Sequence, residues 1–308
     1  MVKILFVGCG GVGGYFGAKL LASGLDVSFM VTEESRADIE QKGLKVLSPK
    51  GDIELRNVDV LTSKSNDLFD YIFIAVKTIH LDNIIKILDK HSDLNTRFIP
   101  LLNGVNAQQY LVEKGINKAQ IYGGLAKIIS FKQAPGLIKH VGSEPHITLG
   151  LFTDVDYENH EQSRIEHLLS ILKDADLSVG LSKDIEQALW RKFLFVASWG
   201  VLASALELSI GEIRVGHTFS DLTLLLQEYQ SIANFEREII DDSVVEQTLT
   251  FMKQLPSQST TSMQRDIEKG LPSEFDSLAE YPLSLAIANN IETPKLAECV
   301  HIIRSKCN

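Results

Sequence analysis

Short apolar runs alternate with helical patterns through the first half of the chain. Lys3-Ile4-Leu5-Phe6-Val7 is an apolar run met at once by glycines. Residues 11–23 carry a helical pattern, and Gly24 follows where a helix C-cap sits. A second strand is expected over 26–31. Residues 71–76 are continuously apolar, as a parallel strand buried on both faces requires. Leu81, Ile84, Ile85, Ile87 and Leu88 repeat at helical spacing within 81–91, and 97–102 reads as another strand. Strands alternating with helices predict parallel βαβ units with right-handed crossovers.

The pattern changes at 123. Ile128-Ile129, Leu137-Ile138 and Ile147-Thr148-Leu149 read as short strands broken by Pro135-Gly136 and Gly142, that is, as hairpins extending the same sheet. A helix over 163–173 completes this half. Beyond Leu181 the strand signal disappears. Residues 184–206, 221–240, 243–255, 262–269, 275–289 and 294–306 all read as helices. The expected organisation is an α/β domain over 1–181 and an all-helical domain over 182–308.

Composition narrows the class. Of 308 residues, 44% are hydrophobic and 23% charged, so a disordered or collagen-like chain is excluded. The formal charge of −10 argues against nucleic acid or an anionic membrane as partner. The apolar N-terminus lacks a cleavage signature and reads as a buried strand, not a signal peptide. No run approaches about 18 uninterrupted apolar residues, so no membrane span is expected. Cys9, Cys299 and Cys307 make neither a disulfide framework nor a zinc site. His80, His140 and His146 have no metal-ligand company, and no metal is expected. Free thiols and a cytoplasmic setting follow from this reading.

One turn carries chemistry. Gly8-Cys9-Gly10-Gly11-Val12-Gly13 has G-x-G-x-x-G spacing, follows a strand and opens a helix. Gly8 permits the tight turn, Gly10 lets a diphosphate approach the backbone, and Gly13 lets helix and strand pack closely. The helix N-terminus then offers free N–H groups and a partial positive charge. The fold class is therefore α/β, an N-terminal Rossmann-type dinucleotide-binding domain with a C-terminal all-helical domain. At the end of the second strand stand Thr32, Glu33, Glu34 and Arg36. Thr32 and Arg36 are able to reach a 2′-phosphate. Either glutamate repels a phosphate or accepts a ribose hydroxyl, and the three charges equally fit a solvated helix start.

Further stretches resemble the ketopantoate reductase family (2-dehydropantoate 2-reductase). Residues 8–20 are similar to its first turn and helix, Ala75-Val76-Lys77 to its lysine motif, and Leu102-Asn103-Gly104-Val105 to its Asn-Gly motif. Pro135-Gly136, His140 and Gly150 fit its hairpin region. Leu189-Trp190-Arg191-Lys192 resembles the helix carrying its catalytic lysine, and Ser262-Met263-Gln264, Asp266, Glu274 and Asp276 its C-terminal signature.

The resemblance implies NADPH-dependent reduction of a 2-oxo acid, ketopantoate to pantoate on the route to pantothenate and coenzyme A. It implies Lys192 as general acid, Glu274 as its partner, and Asn103 and Ser262 as substrate or cofactor contacts. Lys77 would line the nicotinamide side, with Gly8, Gly10, Gly11, Val12, Gly13 and Thr32 around the rest of the cofactor. Family members are monomers or homodimers.

The departures are specific. Thr32 stands where the family has an arginine, which leaves NADH open. Val196 and Gly200 stand where asparagines are expected. A related reductase for a more apolar 2-oxo acid, or a non-catalytic dinucleotide sensor, are the alternatives.

The chemistry has its own logic. Hydride transfer to a carbonyl leaves negative charge on oxygen, which needs an aimed donor and a proton. A partly desolvated lysine supplies both. Plainer readings stand beside these roles. Lys192 reads equally as a helix-flank lysine, Asn103-Gly104 as a turn, Lys77 as a solvated strand end, Ser262 as a helix N-cap, and Glu274 as half of a surface pair.

Overall fold

The computed structural model describes residues 2–62, 65–142, 144–235 and 239–307. The chain forms two compact units, one of 1–102 with 107–185 and one of 186–308 joined by 103–106.

The first unit begins with β1 (Lys3–Val7), α1 (Gly11–Ala22), β2 (Asp26–Met30) and α2 (Glu33–Lys42). Then come β3 (Leu44–Leu47), β4 (Ile53–Leu55), β5 (Asp59–Val60), β6 (Tyr71–Ile74), α3 (Leu81–Lys90), β7 (Arg97–Pro100) and α4 (Ala107–Glu113). It ends with β8 (Gly123–Lys127), β9 (Ser130–Ala134), β10 (Leu137–His140), β11 (His146–Gly150), α5 (Glu161–Asp174) and β12 (Ser178–Leu181). The main sheet runs β5-β2-β1-β6-β7, parallel throughout. Its strands bury both faces, which explains runs such as Tyr71–Ile74 with no polar alternation. From β1 the chain steps to β2 on one side and later to β6 on the other. That reversal of direction opens a crevice at the carboxyl ends of β1 and β6, the usual ligand position in such sheets.

Contrary to the expectation from the sequence pattern, the hairpins do not extend this sheet. β9 and β10 join β3 and β4 in a four-stranded sheet, β4-β3-β10-β9, while β8, β11 and β12 form a third. A lone parallel bridge between Phe98 and Ile121 is the link from β7 toward β8. Ile128 and Ile129 lie between β8 and β9 and not in a strand. The physical reason lies in α1, which needs cover on two sides. A side chain on Gly17 would strike Phe29 of β2 at 2.5 Å, and one on Gly14 would strike Ile138 of β10 at 2.7 Å. The small residues of α1 thus let one helix pack between two sheets, a pairing no local pattern encodes.

The second unit contains α6 (Ile185–Leu206), α7 (Ile210–Ile213), α8 (His217–Ala233), α9 (Asp242–Gln254), α10 (Ser262–Glu268), α11 (Tyr281–Ala288) and α12 (Pro294–Cys307). A π-type turn over Asp276–Glu280 precedes α11. The helix expected over 221–240 reaches residues 236–238, which lie outside the described residues, as does the side chain of Cys307. Alone among the described helices, α6 is long and apolar enough to cross a membrane, and 61% of its apolar window is buried. It is the central helix of the core, with Phe193, Leu194, Ala197, Val201 and Leu202 fully enclosed. Tyr229 of α8 donates to the carbonyl of Leu278 at 2.6 Å. Glu228 accepts the first amides of α12, from Lys295 at 2.8 Å and Leu296 at 2.7 Å.

Candidate active site

In the first unit the candidate residues gather at the crevice between β1 and β6. Gly8 ends β1 with φ +98°, a conformation side chains rarely adopt. A Cβ on Gly13 would fall 2.0 Å from the carbonyl oxygen of Gly8, so glycine is obligatory where helix crosses turn. At Gly10, the N-cap of α1, a Cβ would meet nothing within 4 Å. No side chain caps α1, and its first turn holds no acidic residue. The space beside Gly10 and the partial positive charge of the α1 N-terminus together fit a diphosphate. Lys77, half-buried, follows β6 and opens a short turn over Thr78–His80.

At the end of β2, Thr32 caps α2, its hydroxyl accepting from the Ser35 amide and bonded to the Ser35 hydroxyl at 3.1 Å. Arg36 pairs with Glu33 at 2.8 Å and Glu40 at 3.6 Å. The charges therefore form a largely self-satisfied helix start. Cys9 is buried, and burial pushes its thiol up to about 12, against the pull of the Lys132 charge. It is a packed, inert residue.

In the second unit the structure brings three candidates together. Asn103 Nδ2 donates to Glu274 Oε2 at 2.8 Å, and Glu274 is buried. Lys192 on α6 is half-buried. Burial pushes its ammonium down to about 8, while the nearby charge of Glu274 pulls the other way. Asn103 follows β7, yet it belongs to the helical unit with 104–106, an excursion that the linear boundary at 181 did not anticipate.

Ser262 is the exposed first residue of α10. It is not the helix cap. Thr261 has that role, accepting from the Gln264 amide at 3.1 Å. One turn and two turns beyond Lys192 lie Val196, half-buried, and Gly200, buried. The nearest atoms to a Cβ on Gly200 would be Leu278, Met263 and Thr261, all at 4.0 Å. Among the described residues no group of three or more His, Cys, Asp or Glu is placed to hold a metal.

Two features carry no local signal. The π-type turn directly after Glu274 swings Ser277 against Gly104, whose Cβ would lie 3.2 Å from that of Ser277. Such turns concentrate at functional sites. Strand β9 also passes beside the opening of α1, since a Cβ on Gly11 would fall 2.3 Å from the Ser130 carbonyl oxygen.

Comparison with known proteins identifies the family and the fold. The family described as Ketopantoate reductase PanE/ApbA matches residues 4–154, and its C-terminal part matches 184–306. An uncharacterized oxidoreductase of Bacillus subtilis, YkpB, is 27% identical over 96% of this chain and 95% of its own. A 2-dehydropantoate 2-reductase of Nostoc is 25% identical over 98% of this chain and 94% of its own. The crystal structure of a 2-dehydropantoate 2-reductase from Geobacter metallireducens superposes with a TM-score of 0.88, at 25% identity and 99% coverage of both chains. D-mandelate dehydrogenase, solved with NADH and anilino(oxo)acetate, shares the fold with a TM-score of 0.88 at 21% identity, over 99% of this chain and 98% of its own.

Proposed function

Since the chain belongs to the ketopantoate reductase family of oxidoreductases, we propose that it reduces a 2-oxo acid to the 2-hydroxy acid, with a reduced nicotinamide dinucleotide as hydride donor. The observation that carries this reading is Lys192, an amine brought down to about 8 by burial beside a carboxylate that Asn103 holds. Near neutral pH such an ammonium is charged enough to polarise a carbonyl oxygen and acidic enough to surrender its proton. Glu274 keeps the amine oriented and partly charged. Asn103 fixes the carboxylate and offers its remaining amide group to substrate or cofactor. Ser262 and Lys77 are donors suited to the substrate carboxylate.

The dinucleotide would be held by the first unit, with Gly8, Gly10, Gly11, Val12 and Gly13 around the diphosphate, Thr32 toward the adenosine ribose and Lys77 toward the nicotinamide. When bound, it supplies the hydride. NADPH and ketopantoate are the pair that the family resemblance points to. The apolar positions Val196 and Gly200 beyond Lys192 favour a second reading, an acid with a more apolar side chain. A spectrophotometric scan of 2-oxo acids with NADPH and NADH tests both. Oxidation of either dinucleotide in the presence of ketopantoate supports the first, and preference for an alkyl or aryl 2-oxo acid the second. Tight dinucleotide binding with no turnover of any acid would overturn the enzymatic reading.

A further inference from the structure

The glycine turn has a second wall. β9 is the edge strand of the four-stranded sheet, and its pairing sets Ser130 opposite His140 and Lys132 opposite Ile138. Cross-strand partners share a face of the sheet. Ile138 and His140 face α1. Ile138 closes on Gly14, and the His140 ring stands 5.0 Å from that of Tyr15. Ser130 and Lys132 therefore project on the α1 side of the strand. Ser130 lies against Gly11, and its hydroxyl oxygen is buried without a hydrogen-bond partner among the described residues. Lys132 is exposed and stands close enough to Cys9 for its charge to act on that thiol.

Charge balance calls for such a group. A helix N-terminus offers roughly half a positive charge, whereas a diphosphate carries about two negative ones. The first turn of α1, Gly11-Val12-Gly13-Gly14, contains no basic side chain. We propose that β9 completes the diphosphate site. The Ser130 hydroxyl donates to a phosphate oxygen, and the Lys132 ammonium neutralises the charge left over by the helix. This rests on the reading of the glycine turn as a dinucleotide site and adds two side chains to it.

The test is a fluorescence titration of the full-length protein with NADH and with NADPH. Lys132→Ala should raise Kd for both dinucleotides by about tenfold, as expected for loss of one charge-assisted contact. It should also flatten the dependence of Kd on salt. Lys132→Arg should bind within about twofold of the wild type, and so should Lys139→Ala, which removes a lysine from the opposite face of the same hairpin. Ser130→Ala should weaken both dinucleotides severalfold. Unchanged affinity in Lys132→Ala overturns the proposal. So does a loss confined to NADPH, which would assign Lys132 to the 2′-phosphate, or an equal loss in Lys139→Ala, which would reduce the effect to net charge. Failure of the wild-type protein to bind either dinucleotide would instead remove the dinucleotide reading itself, and this proposal with it.

Discussion

Asn103 and Glu274, 171 positions apart in the chain, are joined by a 2.8 Å hydrogen bond from amide nitrogen to carboxylate oxygen. The bond fixes the carboxylate whose charge acts on Lys192. In the proposed reaction Asn103 would serve the proton donor through Glu274.

The pH dependence of reduction follows from Lys192. The donor must carry its proton, so kcat/KM should hold steady on the acid side and fall as pH rises through about 8. Glu274 favours the charged amine, so Glu274→Gln should move this limb to lower pH. A pH–rate profile of both proteins checks the direction. A limb that stays in place would separate Glu274 from the lysine.

Removing the amine tests the donor directly. Lys192→Ala should lower kcat by about two orders of magnitude or more, as loss of a general acid does. Dinucleotide affinity, measured by fluorescence, should remain near that of the wild type, because the glycine turn is untouched.

Thr32 bears on which dinucleotide is preferred. Its hydroxyl is occupied in capping α2, and Arg36 is held by Glu33 and Glu40. Thr32→Arg should tighten NADPH relative to NADH through a charge-assisted contact. It should also cost about 1 kcal/mol of stability from the lost cap. The ratio of the two dissociation constants and a urea melt read these separately.

Two glycines predict opposite outcomes. Gly13→Ala sets a methyl 2.0 Å from backbone and should destabilise by about 1–3 kcal/mol with loss of dinucleotide binding. Gly200→Ala, inside α6, adds a methyl at ordinary contact distance and should stabilise by about 0.4–1 kcal/mol. Thermal melts of both variants test the contrast.

Buried charge sets the acid limit of stability. Arg97 Nε donates to Glu161 at 2.9 Å, both residues are buried, and Tyr122 also donates to that carboxylate. Burial acts to raise the Glu161 pKa, but the hydrogen bonds and the guanidinium charge outweigh it and hold the group below its ordinary 4.5. A depressed carboxyl pKa contributes stability that is present above the unfolded value and is lost as pH falls through the folded one. Glu161→Gln should therefore cost about 3–5 kcal/mol near neutral pH, since it strands the Arg97 charge, and should blunt the acid-side decline in denaturant midpoint.

Local pattern determined much of this protein. Apolar runs specified the parallel strands, since a strand buried on both faces admits no polar residue. The glycine spacing specified the turn, since only glycine tolerates the approach of the Gly8 carbonyl to Gly13. The helical half was legible from its periodicity, and the roles proposed for Lys192 and Glu274 rest on resemblance to a known pattern. Other features had no local signature because they depend on which surfaces meet. The second sheet over α1 requires Gly14 and Ile138, 124 positions apart, to find each other. The bond between Asn103 and Glu274 and the shift of the N-cap from Ser262 to Thr261 are likewise decided by packing. The desolvation that brings Lys192 down to about 8 is a property of its surroundings and not of the lysine.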